Sequence, residues 1–109
     1  MPIEEERKKM LKKLIKDRLV RRIEEKLEHK ADDIKEKHKN EMKSMYDIKL
    51  ELKFELRSEL NFDLMSEVFS ELTKKGPVAK HFNQDFNGAF NEVFDEAFDN
   101  AFEKRFNVI

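Results

Sequence analysis

Between Met10 and Leu27 apolar residues return every third or fourth position, as Met10, Leu11, Leu14, Ile15, Leu19, Val20, Ile23 and Leu27, with Lys and Arg filling the places between. That period predicts an amphipathic helix starting near residue 3 with a basic outer face. Glu4, Glu5 and Glu6 precede the bases, the order that complements a helix dipole. From His29 to Met45 the pattern thins to Ala31, Ile34, Met42 and Met45. A solvated helix is expected to continue there, bent along its length, which gives a basic helix over about 3–45.

The next stretch, Ile48 to Leu56, reads IKLELKFEL and alternates strictly between apolar and charged. Period alone describes a half-buried strand. Propensity opposes it, since only Ile48 is β-branched and Leu, Glu and Lys favour helix. A hairpin turning at Arg57, Ser58 and Glu59 would match the faces of Leu56 with Leu60 and of Phe54 with Phe62, but that turn offers no Gly or Asn for a positive φ. We therefore expect helix, with a strand or hairpin at about 47–64 as the alternative. Past Ser58 the spacing is helical, with Phe62, Leu64, Met65, Val68, Phe69 and Leu72 sharing one broad face and Ser58 or Asn61 available as a cap. The Leu-rich segment covers about 47–75. Gly76 and Pro77 end it, Gly as a left-handed terminal residue and Pro as a stop.

The last segment, about 78–107, carries Phe82, Phe86, Phe90, Phe94, Phe98, Phe102 and Phe106 at a strict spacing of four, in a tetrad near Phe-Asn/Asp-x-Ala/Val. Four residues advance a helix by about 400°, so this row drifts by about 40° per repeat. A straight seam would follow Phe82, Phe86, Phe90, Val93 and Ala97 and turn the later rings elsewhere. Each buried Phe contributes about 2 kcal/mol or more, too much to leave in water. The helix is expected between two neighbours, the chain's own first helices and a second subunit. Gly88, inside the row's phase, reads as a glycine that admits a closely approaching helix.

Composition agrees with helices, at 43% charged and 39% hydrophobic residues with two Gly and two Pro. The net charge of −1 conceals a division along the chain. Lys8, Lys9, Lys12, Lys13, Lys16, Arg18, Arg21 and Arg22, with Arg7, meet one acid, Asp17, whereas the segment from Gly76 onward is acidic. Electrostatics therefore favour a head-to-tail or antiparallel contact of the first helix with the last, each exposed pair adding well under about 1 kcal/mol. The same basic row is also a candidate phosphate-backbone surface, one that reads shape and charge and not base sequence.

Chemistry is sparse. The absence of cysteine removes disulfides, thiolate catalysis and Cys-bound zinc, and makes a reducing cytoplasm the expected compartment. No apolar run approaches the roughly 20 residues of a membrane span. Glu25, His29 and Asp33 share a helix face, yet no metal-binding arrangement such as HExxH accompanies them, and a solvated face is expected. Neither a nucleophile elbow nor a phosphate-binding glycine loop is present, so neither catalysis nor a cofactor is expected. Asp85, Asp95, Glu96 and Asp99 on the polar side of the Phe helix would repel anionic lipid.

The expectation is one all-α domain, an elongated helical bundle or coiled-coil-like homo-oligomer of three helical segments. It would serve as a non-enzymatic scaffold or protein-interaction module. Its interface would use Phe82, Phe86, Phe90, Phe94, Phe98, Phe102 and Phe106 with Leu64, Val68 and Leu72, and its partners would be itself or another helical protein. A small nucleic-acid-binding protein using the basic helix is the alternative.

Overall fold

Two punctuation points divide the chain into three helices, α1 (Ile3–Asn40, 38 residues), α2 (Met45–Lys75, 31 residues) and α3 (Phe82–Phe106, 25 residues). The computed structural model describes residues 3–78 and 80–106, with side chains from Glu5 onward. Ala79 and Asn107, within the expected span of the last helix, and the side chains of Ile3 and Glu4 lie outside the described residues. The first break comes sooner than the pattern suggests. Helix α1 ends at Asn40, and Met42 takes a left-handed φ of 54°. Across the turn, His38 Nδ1 donates to the Lys43 carbonyl at 2.8 Å. Ser44 then caps α2, its Oγ accepting from Asp47 N at 3.1 Å. Ser58 and Asn61, the expected caps, lie well inside that helix.

The second break is the Gly76-Pro77 pair, as the sequence predicts. Gly76 adopts φ 148° and ψ −171°, however, which is not the left-handed helical conformation but an extended region that glycine alone enters readily. Helix α3 begins at Phe82, four residues later than expected.

Ion pairs fix the topology. Arg18 meets Glu71 and Lys30 meets Glu55, so α1 and α2 run antiparallel; Lys49 meets Glu103 and Arg57 meets Asp95, so α2 and α3 do too. Helices α1 and α3 are consequently parallel, with Lys12 beside Glu92, and not head-to-tail or antiparallel as the division of charge suggests, because α2 returns the chain once between them. The bundle measures 51 × 25 × 18 Å.

The four-residue spacing read from the phenylalanines governs all three helices. Leu11, Ile15, Leu19, Ile23, Leu27 and Ala31 form the buried row of α1, and Ile48, Leu52, Leu56, Leu60, Leu64 and Val68 that of α2. Leu14 and Val20 are half-buried and Met10 lies at the surface. A repeat longer than the 3.6-residue turn moves steadily around its helix, so keeping three such rows inside calls for right-handed wrapping of the helices. This replaces the straight seam. Phe82 through Phe102 are at most 5% exposed within one chain, and successive rings lie 5.5 to 5.9 Å apart. Phe106 continues the stack at 4.8 Å and is half-buried.

That burial corrects the expected role of the phenylalanines. The two neighbours that enclose the drifting row are α1 and α2 of the same chain, so no second subunit is needed to keep the rings dry. Along its other inward side α3 turns Ala89, Val93, Ala97 and Ala101 to the core, a second row at the same spacing, and small side chains there let α1 approach α3 more closely than it approaches α2. Gly88 has no part in this. It is exposed, and a Cβ built on it would meet nothing within 4 Å.

Segment 48–56 is helical throughout, and the strand or hairpin alternative is overturned. Its alternation is two interleaved four-residue rows. Residues two apart on a helix point about 200° apart, so burying Ile48, Leu52 and Leu56 turns Leu50 and Phe54 to solvent.

Candidate interaction surface

The outer side of α2 carries the chain's largest misplaced apolar content. Tyr46 is 63% exposed, Leu50 46%, Phe54 74% and Phe62 73%, and Phe69 at 45% leans its ring 5.5 Å from Phe82. From Tyr46 to Phe62 the apolar residues keep the helix's own four-residue step, with Ser58 between Phe54 and Phe62. This row stands opposite the buried row. Applying the exposed fractions to aromatic and Leu side chains gives on the order of 500 Å² of apolar surface, the size at which a monomer's largest patch is often functional. The sequence sets Phe62 and Phe69 on one broad face with Leu64 and Val68. Phe62 lies two residues and Phe69 one residue out of step with the four-residue row, about 200° and 100° around the helix, and both stand outside it.

Both flanks of this stripe are charged, and both are neutralised within the chain. On one side Lys49, Lys53 and Arg57 reach to α3: Lys49 Nζ is 3.4 Å from both Asp99 and Glu103, Lys53 Nζ is 3.1 Å from Asp99, and Arg57 pairs with Asp95. Asn61 continues the row, its Nδ2 donating to Asn87 Oδ1 at 3.1 Å. On the other side Glu55, Glu59, Glu67 and Glu71 receive Lys30, Lys26, Arg22 and Arg18 from α1. The Glu59 partner holds the Lys26 ammonium above its ordinary pKa. Lys43 folds back on Glu51 at 2.8 Å, raising its own pKa and lowering that of Glu51 through their hydrogen bond.

These ladders redirect the expected charge pairing. Arg18 and Arg22 of the basic row, with Lys26 and Lys30 beyond it, reach acids of α2, whereas α3 receives Lys8 and Lys12, both at Glu92, whose carboxyl is pulled below its ordinary pKa chiefly by the Lys12 hydrogen bond. The expected phosphate-binding set is thereby divided. Lys8, Lys12, Arg18 and Arg22 are engaged inside the chain, whereas Lys9, Lys13, Lys16 and Arg21 are exposed and make no ion pair among the described residues.

The expected interface residues are elsewhere than at the surface. Phe82, Phe86, Phe90, Phe94, Phe98 and Phe102, with Leu64 and Val68, are interior, while Leu72 and Phe106 are half-buried at opposite ends of the bundle. Leu72 lines an end cleft of about 730 Å³ with Met10, Leu14, Val78 and Phe82. Glu25, His29 and Asp33 lie on the outer face of α1, and among the described residues no group of three metal-binding side chains converges. Nor does any helix there have the length and apolarity to cross a membrane.

One signal would have exposed the α2 stripe. An alternating apolar pattern placed on a helix cannot bury both of its halves against one core, because they point about 200° apart. Choosing helix for 48–56 therefore already implies an outward apolar row. Comparison with protein-family models, curated proteins and solved structures finds no match to this chain.

Proposed function

We propose that the chain is a non-enzymatic helical interaction module whose contact face is the outer side of α2. One observation carries this reading: Tyr46, Leu50, Phe54 and Phe62 remain exposed in register on a helix whose opposite face is fully buried. A helix that only had to close the bundle would hold polar residues there. The paired flanks add to the argument, because an apolar stripe between neutralised charges suits an apolar partner better than a charged one. Large exposed aromatics also make the strongest contact residues, ordering few rotamers for the area they cover.

The test is a photo-crosslinking side chain at Ser58, in the middle of the stripe, with Asp32 on the outside of α1 as the control position. Applied to the pure protein and to the protein in cell extract, the Ser58 probe should give discrete adducts that the Asp32 probe does not. Phe54→Glu with Phe62→Glu should remove them without altering the circular dichroism. Equal labelling from both positions would overturn the module reading.

Phosphate-backbone contact through α1 is the second reading, supported by the exposed Lys9, Lys13 and Lys16 with Arg21. If it holds, duplex or single-stranded nucleic acid is retarded at low ionic strength, and Lys9→Glu, Lys13→Glu and Lys16→Glu together abolish the shift. Unlike Lys12 and Arg22, these three residues can be reversed without breaking an ion pair of the fold.

A further inference from the structure

Taking the α2 stripe as the contact face, we infer that its occupant is a second copy of this chain, packed α2 against α2 in parallel about a two-fold axis running along the helices. Area is the first argument. Two copies together would cover on the order of 1,000 Å² of apolar surface before any polar rim is counted, which brings the contact to the threshold of a specific interface. A two-fold contact also uses the same patch on both copies, so it closes and leaves no stripe in water.

The flanks choose the direction. Around α2 the stripe has the basic row Lys49, Lys53 and Arg57 on one side and an acidic row including Glu51, Glu55 and Glu59 on the other. When two such helices meet face to face in parallel, the basic flank of each stands beside the acidic flank of its mate. The antiparallel arrangement sets base against base and acid against acid. Each flank is already paired at home, so the difference works mainly as discrimination between the two arrangements and less as affinity.

Side-chain size supports the same contact. Four-residue ridges of two helices interdigitate best at a crossing of about 50°, where the backbones come closest at one point. Ser58 provides that point, a small residue with Phe54 one turn before and Phe62 one turn after, and Ser66 again leaves room beyond. A Phe at 58 would hold the helices apart.

Sedimentation of the full chain decides the matter. The expected result is a reversible shift from 13.2 kDa to twice that mass in the micromolar range. Phe54→Glu with Phe62→Glu should hold the protein monomeric at ten-fold or higher concentration with the thermal midpoint of the dilute wild-type monomer, and Ser58→Arg, which leaves both rings in place, should do the same. The chain contains no cysteine, so single Cys variants one turn from the crossing point report direction: Phe54→Cys should cross-link to itself under mild oxidation. Cross-linking only in a mixture of Phe54→Cys with Phe62→Cys would overturn the parallel arrangement. A wild-type monomer at high micromolar concentration would overturn the second copy as occupant, as would a dimer indifferent to all three substitutions or a monomer that binds phosphatidylcholine vesicles through Phe54 and Phe62. A monomer whose Ser58 probe still labels other proteins leaves the module reading standing. A monomer without adducts sinks both.

Discussion

Arg57 bonds to Asp95 across the α2–α3 boundary while its guanidinium carbon lies 5.6 Å from the centre of the Phe94 ring. One side chain thus joins the ladder of charges at the surface to the ladder of rings inside. Being planar, it can cover the aromatic edge of the core and still present donors to the carboxylate.

Replacing Arg57 should therefore cost more than an exposed ion pair does. Arg57→Ala is expected to destabilise by about 1–2 kcal/mol, the ion pair, the ring contact and the stem's packing combined. Arg57→Lys should recover only part of this, because an ammonium keeps the attraction and loses the plane. Urea unfolding followed by circular dichroism checks both, and full recovery by Lys would show that charge alone matters.

Phenylalanines inside and outside the bundle should behave oppositely. Phe94→Ala removes a fully buried ring from the middle of the stack and is expected to cost about 3–5 kcal/mol. Phe54→Ala should change the stability of the monomer by no more than about 0.5 kcal/mol. Thermal melts at low protein concentration compare the two. Phe94→Asp is expected to unfold the chain and not merely to dissociate an assembly.

The two breaks hold their strain differently. Met42 sits at φ 54° with a Cβ that opposes it, so Met42→Gly should be neutral to stabilising by up to about 1 kcal/mol, strain relief offset by extra freedom in the unfolded chain. Gly76→Ala should destabilise by about 1–3 kcal/mol although the space beside it is open, because φ 148° excludes a Cβ through the backbone itself. Chemical denaturation of both variants gives the signs.

The pH dependence follows from the shifted groups. Glu51 and Glu92 are held below their ordinary 4.5, so their contribution is present above that value and is lost as pH falls through the lower folded values. Lys26 and Lys43 are raised above 10.5, so theirs is present below 10.5 and is lost as pH rises through the higher folded values. The thermal midpoint should be flat near neutrality and decline at both extremes. Lys12→Gln should blunt the acid limb alone, and a wild-type midpoint that does not fall below pH 4 would contradict the Lys12–Glu92 pairing.

The sequence by itself determined the helices, the stop at Gly76-Pro77 and the four-residue spacing of the phenylalanines, because periodicity, propensity and glycine's backbone freedom act along the chain. It also determined that the first helix is basic and the last acidic. What meets each face was left to the tertiary structure. The alternation of 48–56 names two rows and cannot say which is inside; packing on α1 and α3 buries Leu52 and Leu56 and leaves Leu50 and Phe54 out. Nor could pairwise charge, at under about 1 kcal/mol per exposed contact, assign the bases of α1 to one partner. The short turn at Met42 folds α2 back along α1 and sets Glu55, Glu59, Glu67 and Glu71 beside Lys30, Lys26, Arg22 and Arg18, while Glu92 of α3 takes Lys8 and Lys12. The drift of the phenylalanine row likewise required two neighbours, and only the three-helix arrangement made both of them parts of the same chain.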